Sequence, residues 1–241
     1  MLDGGFGLIK AGTLVDTGGS IVIHAFGALF GLGLIFSLTS KKEFKAEIKT
    51  DATSDRFSLL GSMVLWVFWP SFCAALVAPK DLIPTVINVV MALSGSTLAA
   101  YFSSMGLRKK VSPEDIANAT LAGGVAIGST CDVTIAPIAF LIGIIAGFIS
   151  TFGFAVFKDK LQNAIKKIDT CGVLYLHGLP GLFGGIAALF VVKGINFRSQ
   201  ILGLVITAVL GIVAGLFSGK IISLVGKRVV PYTDEEELEL D

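Results

Sequence analysis

DTGGSIVIHAFGALFGLGLIFSL, residues 16–38, decides how the chain is read: Asp16 opens it, and from there to residue 38 the one ionisable side chain is His24. An apolar run of about 20 residues is long enough to cross the hydrocarbon core of a bilayer as a helix. Comparable runs follow at roughly 57–78, 84–106, 116–134, 135–157, 171–193 and 200–226, so seven spans are expected. The fourth and fifth are divided only by Asp132 and Pro137 in STCDVTIAP. One helix from 116 to 157 would be about 63 Å long at 1.5 Å per residue, roughly twice the bilayer core, so two helices are expected there.

Composition agrees. The 241 residues are 54% hydrophobic and 15% charged, with 29 glycines and a mean hydropathy of +0.83, which marks an all-α integral membrane protein. A net charge of +1, with the basic residues scattered in short clusters, excludes a nucleic-acid partner. Cys73, Cys131 and Cys171 have no CxxC spacing, so no disulfide framework, zinc site or other cofactor is implied, and they read as small helix residues. No Walker loop, HExxH or GxSxG is present, so no enzyme is indicated. The opening MLDGGFGLIK lacks the features of a signal peptide and runs almost at once into the first span, as if sequence preceded it.

Orientation follows from the connections. With seven spans, Lys41, Lys42, Lys45, Lys49, Arg56, Arg108, Lys109, Lys110, Lys158, Lys160, Lys166, Lys167, Lys220, Lys227 and Arg228 share one side, against Lys10, Lys80, Lys193 and Arg198 on the other. The N-terminus is therefore expected outside and the C-terminus in the cytoplasm. Residues 1–228 form the transmembrane part, and 229–241, ending TDEEELELD, an acidic cytoplasmic tail. Glycines four apart, such as Gly143 and Gly147 or Gly211, Gly215 and Gly219, mark close helix packing. NATLAGGVAIGS in the fourth span is so rich in small residues that protein, not lipid, should surround it.

Within the spans the ionisable groups are His24 and His177, with Asp16, Asp132 and Asp169 near the ends. Such groups are costly in lipid and mark functional candidates. Burial disfavours a charged ring, and a neutral imidazole both donates and accepts, which suits a narrow path for a weak acid or base; a histidine bonded to a backbone carbonyl is the structural alternative. Asp16 and Asp169 read as helix N-caps.

DTGGSIVIHAFGALFGL, LWVFWPSF at 65–72, NATLAGGVAIG at 118–128 and DTCGVLYLHGLPGLFGG at 169–185 together resemble, in order, the motifs of the Rhesus branch of the ammonium transporter family. The resemblance implies the fifth to eleventh helices of an eleven-helix inverted-repeat fold, a plasma-membrane homotrimer, and a pore through each protomer formed between the halves. A chain without the first four helices would not close that path by itself. Asp16 would hold the outer recruitment region, His24 would be the first of two pore histidines, Phe72 an aromatic gate, and Asp169 the opening of the tenth helix. Ammonium would be recruited outside, lose its proton and pass as ammonia; methylammonium and carbon dioxide are further candidate substrates. Two residues depart from the pattern. Cys73 replaces an asparagine, and Leu174 stands where the family pattern has the second pore histidine. Three residues beyond Leu174 on an α-helix, His177 is expected to lie deeper and not to share a hydrogen bond with His24. Weak or absent conduction follows, and a non-conducting structural subunit is the alternative. A seven-helix retinal protein fits the span count but has no motif, and Lys220 lies too near the cytoplasmic end for a midplane Schiff base.

Overall fold

The computed structural model describes residues 9, 12–39, 44, 52–169 and 172–226. The tail expected at 229–241, Cys171 and the basic residues of the first connection other than Arg56 lie outside these. Among the described residues the secondary structure is helical: α1 Ser20–Leu38, α2 Ala52–Ala74, α3 Pro79–Arg108, α4 Pro113–Ala119, α5 Ala122–Ile127, α6 Ala136–Ile165, α7 Leu174–Val191 and α8 Phe197–Val225. Six of these are long and apolar enough to cross a membrane, namely α1, α2, α3, α6, α7 and α8.

The expected span at 116–134 is the difference. It is α4, α5 and a 3-10 turn, Gly128–Thr130, in succession rather than one helix. Glycine is a poor helix former, and Gly123, Gly124 and Gly128 serve close approach instead: a Cβ on Gly123 would strike Ala92 O, and one on Gly124 would lie 2.7 Å from the Trp69 ring. Residues 119–131 are buried throughout, so the expectation of a protein environment holds. This broken segment lies among α3, α6 and α7. The break before α6 comes where Asp132 and Pro137 place it, with Pro137 in the first turn.

Two pairs form the frame, α1 on α8 and α3 on α6. Both are glycine contacts: Gly215 meets Phe30 O, and Gly143 and Gly95 meet Ala92 O and Phe140 O. Without a hydrophobic drive between helices in lipid, such backbone approach maximises van der Waals contact. Gly27 has open space around it, so that glycine is not a packing residue here. Gly143→Ala must push α6 off the Ala92 carbonyl, a fixed backbone atom, and overpacking of this kind costs about 1–3 kcal/mol. A lower melting temperature of the purified protein in detergent is expected; Gly27→Ala is the control that leaves it unchanged.

The α3–α4 turn is held by charge. The buried Asp115 carboxylate accepts from Arg108 Nε at 2.8 Å, from Arg108 Nη2 at 3.0 Å and from Ser104 Oγ at 2.7 Å. Lys158 on α6 pairs with Glu114, tying α6 to the same corner.

Candidate functional site

The site grows from the start of α1. Gly19 takes φ +76°, a left-handed conformation that only glycine adopts without strain, and this turns the chain so that the Asp16 side chain lies under the first N–H groups of the helix. The Asp16 carboxylate accepts from Ile21 N at 3.0 Å, Val22 N at 2.8 Å and Ser129 Oγ at 2.6 Å. It caps the helix as expected, although the residue flanking the first turn is Gly19. Burial pushes the Asp16 carboxyl up to about 6, against the bonds from Ser129, Ile21 and Val22 that favour the charged form.

The same corner is bolted to the end of α5. Ser20 Oγ donates to Val125 O at 2.6 Å and accepts from Ser129 N at 2.7 Å, and Gly18 N donates to Gly128 O at 2.7 Å. Thr17 Oγ1 donates to Asp132 Oδ2 at 3.1 Å. The approach needs glycines: a Cβ on Gly18 would come within 2.9 Å of Gly128 Cα.

The start of α7 repeats the spacing. Asp169 Oδ1 accepts from Gly172 N at 3.1 Å, and Gly172 has φ +62°. In each case the left-handed glycine is three residues after the aspartate and the histidine eight after it. Both helices then open on a π-helical turn, Ser20–Ala25 and Leu174–Gly178, before continuing as α-helix. His24 N bonds to Gly19 O, the i−5 carbonyl, at 3.0 Å. Such wide turns are rare and recur at functional sites.

These turns bring the two imidazoles together through their Nδ1 edges. His24 Nδ1 and His177 Nδ1 are 3.2 Å apart, with ring centroids at 5.2 Å and planes 11° apart. The expectation that His177 would lie too deep to reach His24 is therefore overturned. It used α-helical rotation from position 174, whereas Leu174–Gly178 is a π turn whose extra residue per turn changes the phase of every side chain on it. Leu174 is buried, and its Cδ1 packs over Gly178, where an added Cβ would meet it at 2.8 Å.

Around the pair stand aromatic rings. Trp69 stacks on His24, with centroids 5.5 Å apart and planes at 24°, and Phe72 leans on it at 6.2 Å and 58°. Phe72 is 41% exposed and Trp69 is 8% exposed, so the first borders open space and the second belongs to the core. Cys73 is fully buried, and a Cβ on Gly18 would meet its Sγ at 3.2 Å. Chemically, an Nδ1–Nδ1 bond between neutral rings makes one Nδ1 a donor and the other an acceptor. One ring then keeps a bare Nε2 and the other carries Nε2–H, so the pair offers an acceptor and a donor to a small polar guest.

Three supporting residues escaped sequence reasoning. Trp69 lies inside LWVFWPSF, where nothing marks it for a stack on His24. Gln200, fully buried in α8, accepts from Val15 N at 3.0 Å and donates to Gly185 O at 3.0 Å, linking the approach to α1 with α7. Asn88 donates to Cys131 O at 2.9 Å and Thr134 O at 3.0 Å, satisfying carbonyls of the α5–α6 turn. A lone amide within an apolar run is the signal that finds the last two.

Comparison with known proteins gives a consistent picture. The chain from residue 3 to residue 241 matches the Ammonium Transporter Family. It is 40% identical over 224 residues to "Ammonium transporter Rh type A" of Mus musculus, covering 87% of this chain and 50% of that protein. It is 35% identical over 238 residues to "Rhesus-like glycoprotein A" of Dictyostelium discoideum, covering 86% and 45%. The chain thus spans about half the length of these curated relatives. Among solved structures it is similar to Nitrosomonas europaea Rh50, with a TM-score of 0.94 at 48% identity, covering 100% of this chain and 63% of that one. A "Sensor Amt Protein" shares the fold, with a TM-score of 0.76 at 20% identity, over 93% of this chain and 58% of its own.

Proposed function

The chain belongs to the Rhesus branch of the ammonium transporter family, and from that premise we propose that it carries ammonia, recruited as ammonium, along a path that passes the His24–His177 pair. The observation that carries the reading is the Nδ1–Nδ1 contact at 3.2 Å between rings brought together by two separate helices. Ammonia has a lone pair and three N–H groups, so it can accept from the Nε2–H of one ring and donate to the bare Nε2 of the other. A cation at the same place loses most of its hydration while the rings present only one acceptor, and that desolvation excludes it. Deprotonation before entry, with the proton passing to water on the outer side and Phe72 limiting water at the pair, is the step this arrangement favours. Methylammonium and carbon dioxide are small enough to be further candidates.

Within this reading the protein is a multi-pass plasma-membrane protein with its N-terminus outside, its C-terminus cytoplasmic and a homotrimeric assembly. The distribution of Lys and Arg supports the orientation. The non-conducting alternative drew on Leu174, Cys73 and a span count short of the family's eleven helices. Leu174 packs over Gly178, and the imidazole contact is made by His24 and His177 without it, so Leu174 no longer supports that alternative.

The complete protein, expressed in cells lacking ammonium carriers, is expected to take up methylammonium above the empty-vector level. Leu174→His, which adds a ring outside the pair, should not raise that rate. Uptake equal to the vector control, with the protein present in the membrane, would favour the non-conducting subunit.

A further inference from the structure

The imidazole pair is backed on one side by a third ring. Trp69 lies within 24° of the His24 plane, at 5.5 Å between centroids, and His177, joined to His24 through Nδ1, lies within 11° of that same plane. Trp69 is not a lining residue of open space: it is 8% exposed and its Nε1–H has no hydrogen-bond partner among the described residues. A buried indole N–H without a partner is unfavourable by about 1–3 kcal/mol, and a phenyl or aliphatic side chain would avoid that cost. The position keeps the large plane nonetheless.

What holds the indole is a notch. A Cβ on Gly124 would lie 2.7 Å from both Nε1 and Cε2 of Trp69, and 2.9 Å from Cδ1, so the pyrrole edge occupies the space of the missing side chain. Gly124 sits in the buried α5, whose end is tied by Ser20 and Asp16 to the turn that carries His24. The indole therefore bridges a fixed wall and the face of a histidine. His24 has Nδ1 engaged by His177 and no partner for Nε2 among the described residues, so hydrogen bonds alone leave it free to turn about that one contact.

We infer that Trp69 is a positioning residue whose indole plane, seated in the Gly124 notch, sets the plane of the His24 ring against His177. It touches no substrate; it acts through His24. The consequence for transport rests on the function proposed above, but the ring contact itself does not.

The chain has two tryptophans, Trp66 and Trp69, so Trp66→Phe leaves Trp69 as its one indole, and any tryptophan elsewhere in the complete protein is replaced by Phe in the same background. In that background His24→Ala strips a ring from the indole face, and Trp69 emission should change in intensity and wavelength; unchanged emission overturns the contact. Trp69→Leu, which fills space without a plane, should lower the maximal methylammonium rate by about tenfold or more with KM unchanged, since misplacement of reacting groups by about 1 Å can cost a hundredfold. Trp69→Phe, which restores a flat face, should recover most of that rate. A Trp69→Leu protein with the wild-type maximal rate overturns the positioning role. Should that variant not fold, Gly124→Ala keeps the indole but closes its notch, and either unchanged emission or an unchanged rate there is equally decisive. If the unmutated protein carries no methylammonium, the transport reading fails while the emission comparison still decides the ring contact.

Discussion

His177→Ala is expected to lower methylammonium uptake by the complete protein by roughly tenfold or more. Removing that ring leaves His24 Nδ1 without its 3.2 Å partner, and an unsatisfied buried polar group costs about 1–3 kcal/mol. Applied to a barrier, this is about 5- to 150-fold in rate. The guest also loses one of two polar atoms that replace water around it. His24→Ala should lose a similar amount, and the double variant little more than either single one, because the two rings act as one unit and their effects do not add. Leu174→Ala gives the contrast. It removes apolar packing over Gly178 and is expected to lower stability, by about 2–5 kcal/mol for a buried leucine, with a much smaller effect on uptake per folded protein. Uptake unchanged in His177→Ala, or a larger loss in Leu174→Ala than in His177→Ala, would return the second pore position to residue 174.

The contrast between these residues also shows how far the sequence could be read. Span positions were legible because lipid imposes one length rule on every helix, so the ends of α2, α3, α6, α7 and α8 fall within several residues of the apolar runs that announced them. The break before α6 was legible from Asp132 and Pro137. The interior of 113–130 was not, since glycine-rich apolar sequence reads as a span whether it forms one helix or several short ones packed in protein. His177 failed for a different reason. Rotation along an α-helix is a sound rule until the backbone changes its period, and nothing in VLYLHG announces a π turn. The signal that did survive was the equal spacing in DTGGSIVIH and DTCGVLYLH, aspartate to glycine to histidine. Equal spacing meant a left-handed glycine and a π turn at both helix starts, the device that places each ring.

That device gives the second large effect. Asp16→Ala removes the acceptor for Ile21 N, Val22 N and Ser129 Oγ together. Each donor left buried and unpaired costs about 1–3 kcal/mol. Val22 is partly exposed and water can reach its N–H, so a total near 3 kcal/mol is expected, at the lower end of that sum. For a chain of this size, about 2–4 °C of melting temperature accompanies each kcal/mol, so the purified protein in detergent should melt roughly 6–12 °C lower. Function should fall further than stability. The turn that Asp16 caps is the π turn that aims His24, and Ser129 also donates its N–H to Ser20, so loosening this corner frees the α5 end and the histidine ring in one step. Asp16→Asn keeps one oxygen acceptor and should recover about half of the lost stability, while Ser129→Ala removes a single donor–acceptor pair and should cost about 1 kcal/mol. Were Asp16→Ala to melt with the wild type, the carboxylate would be dispensable to the fold. A loss of uptake in that protein would then report a direct role in handling the cation, not the setting of the helix.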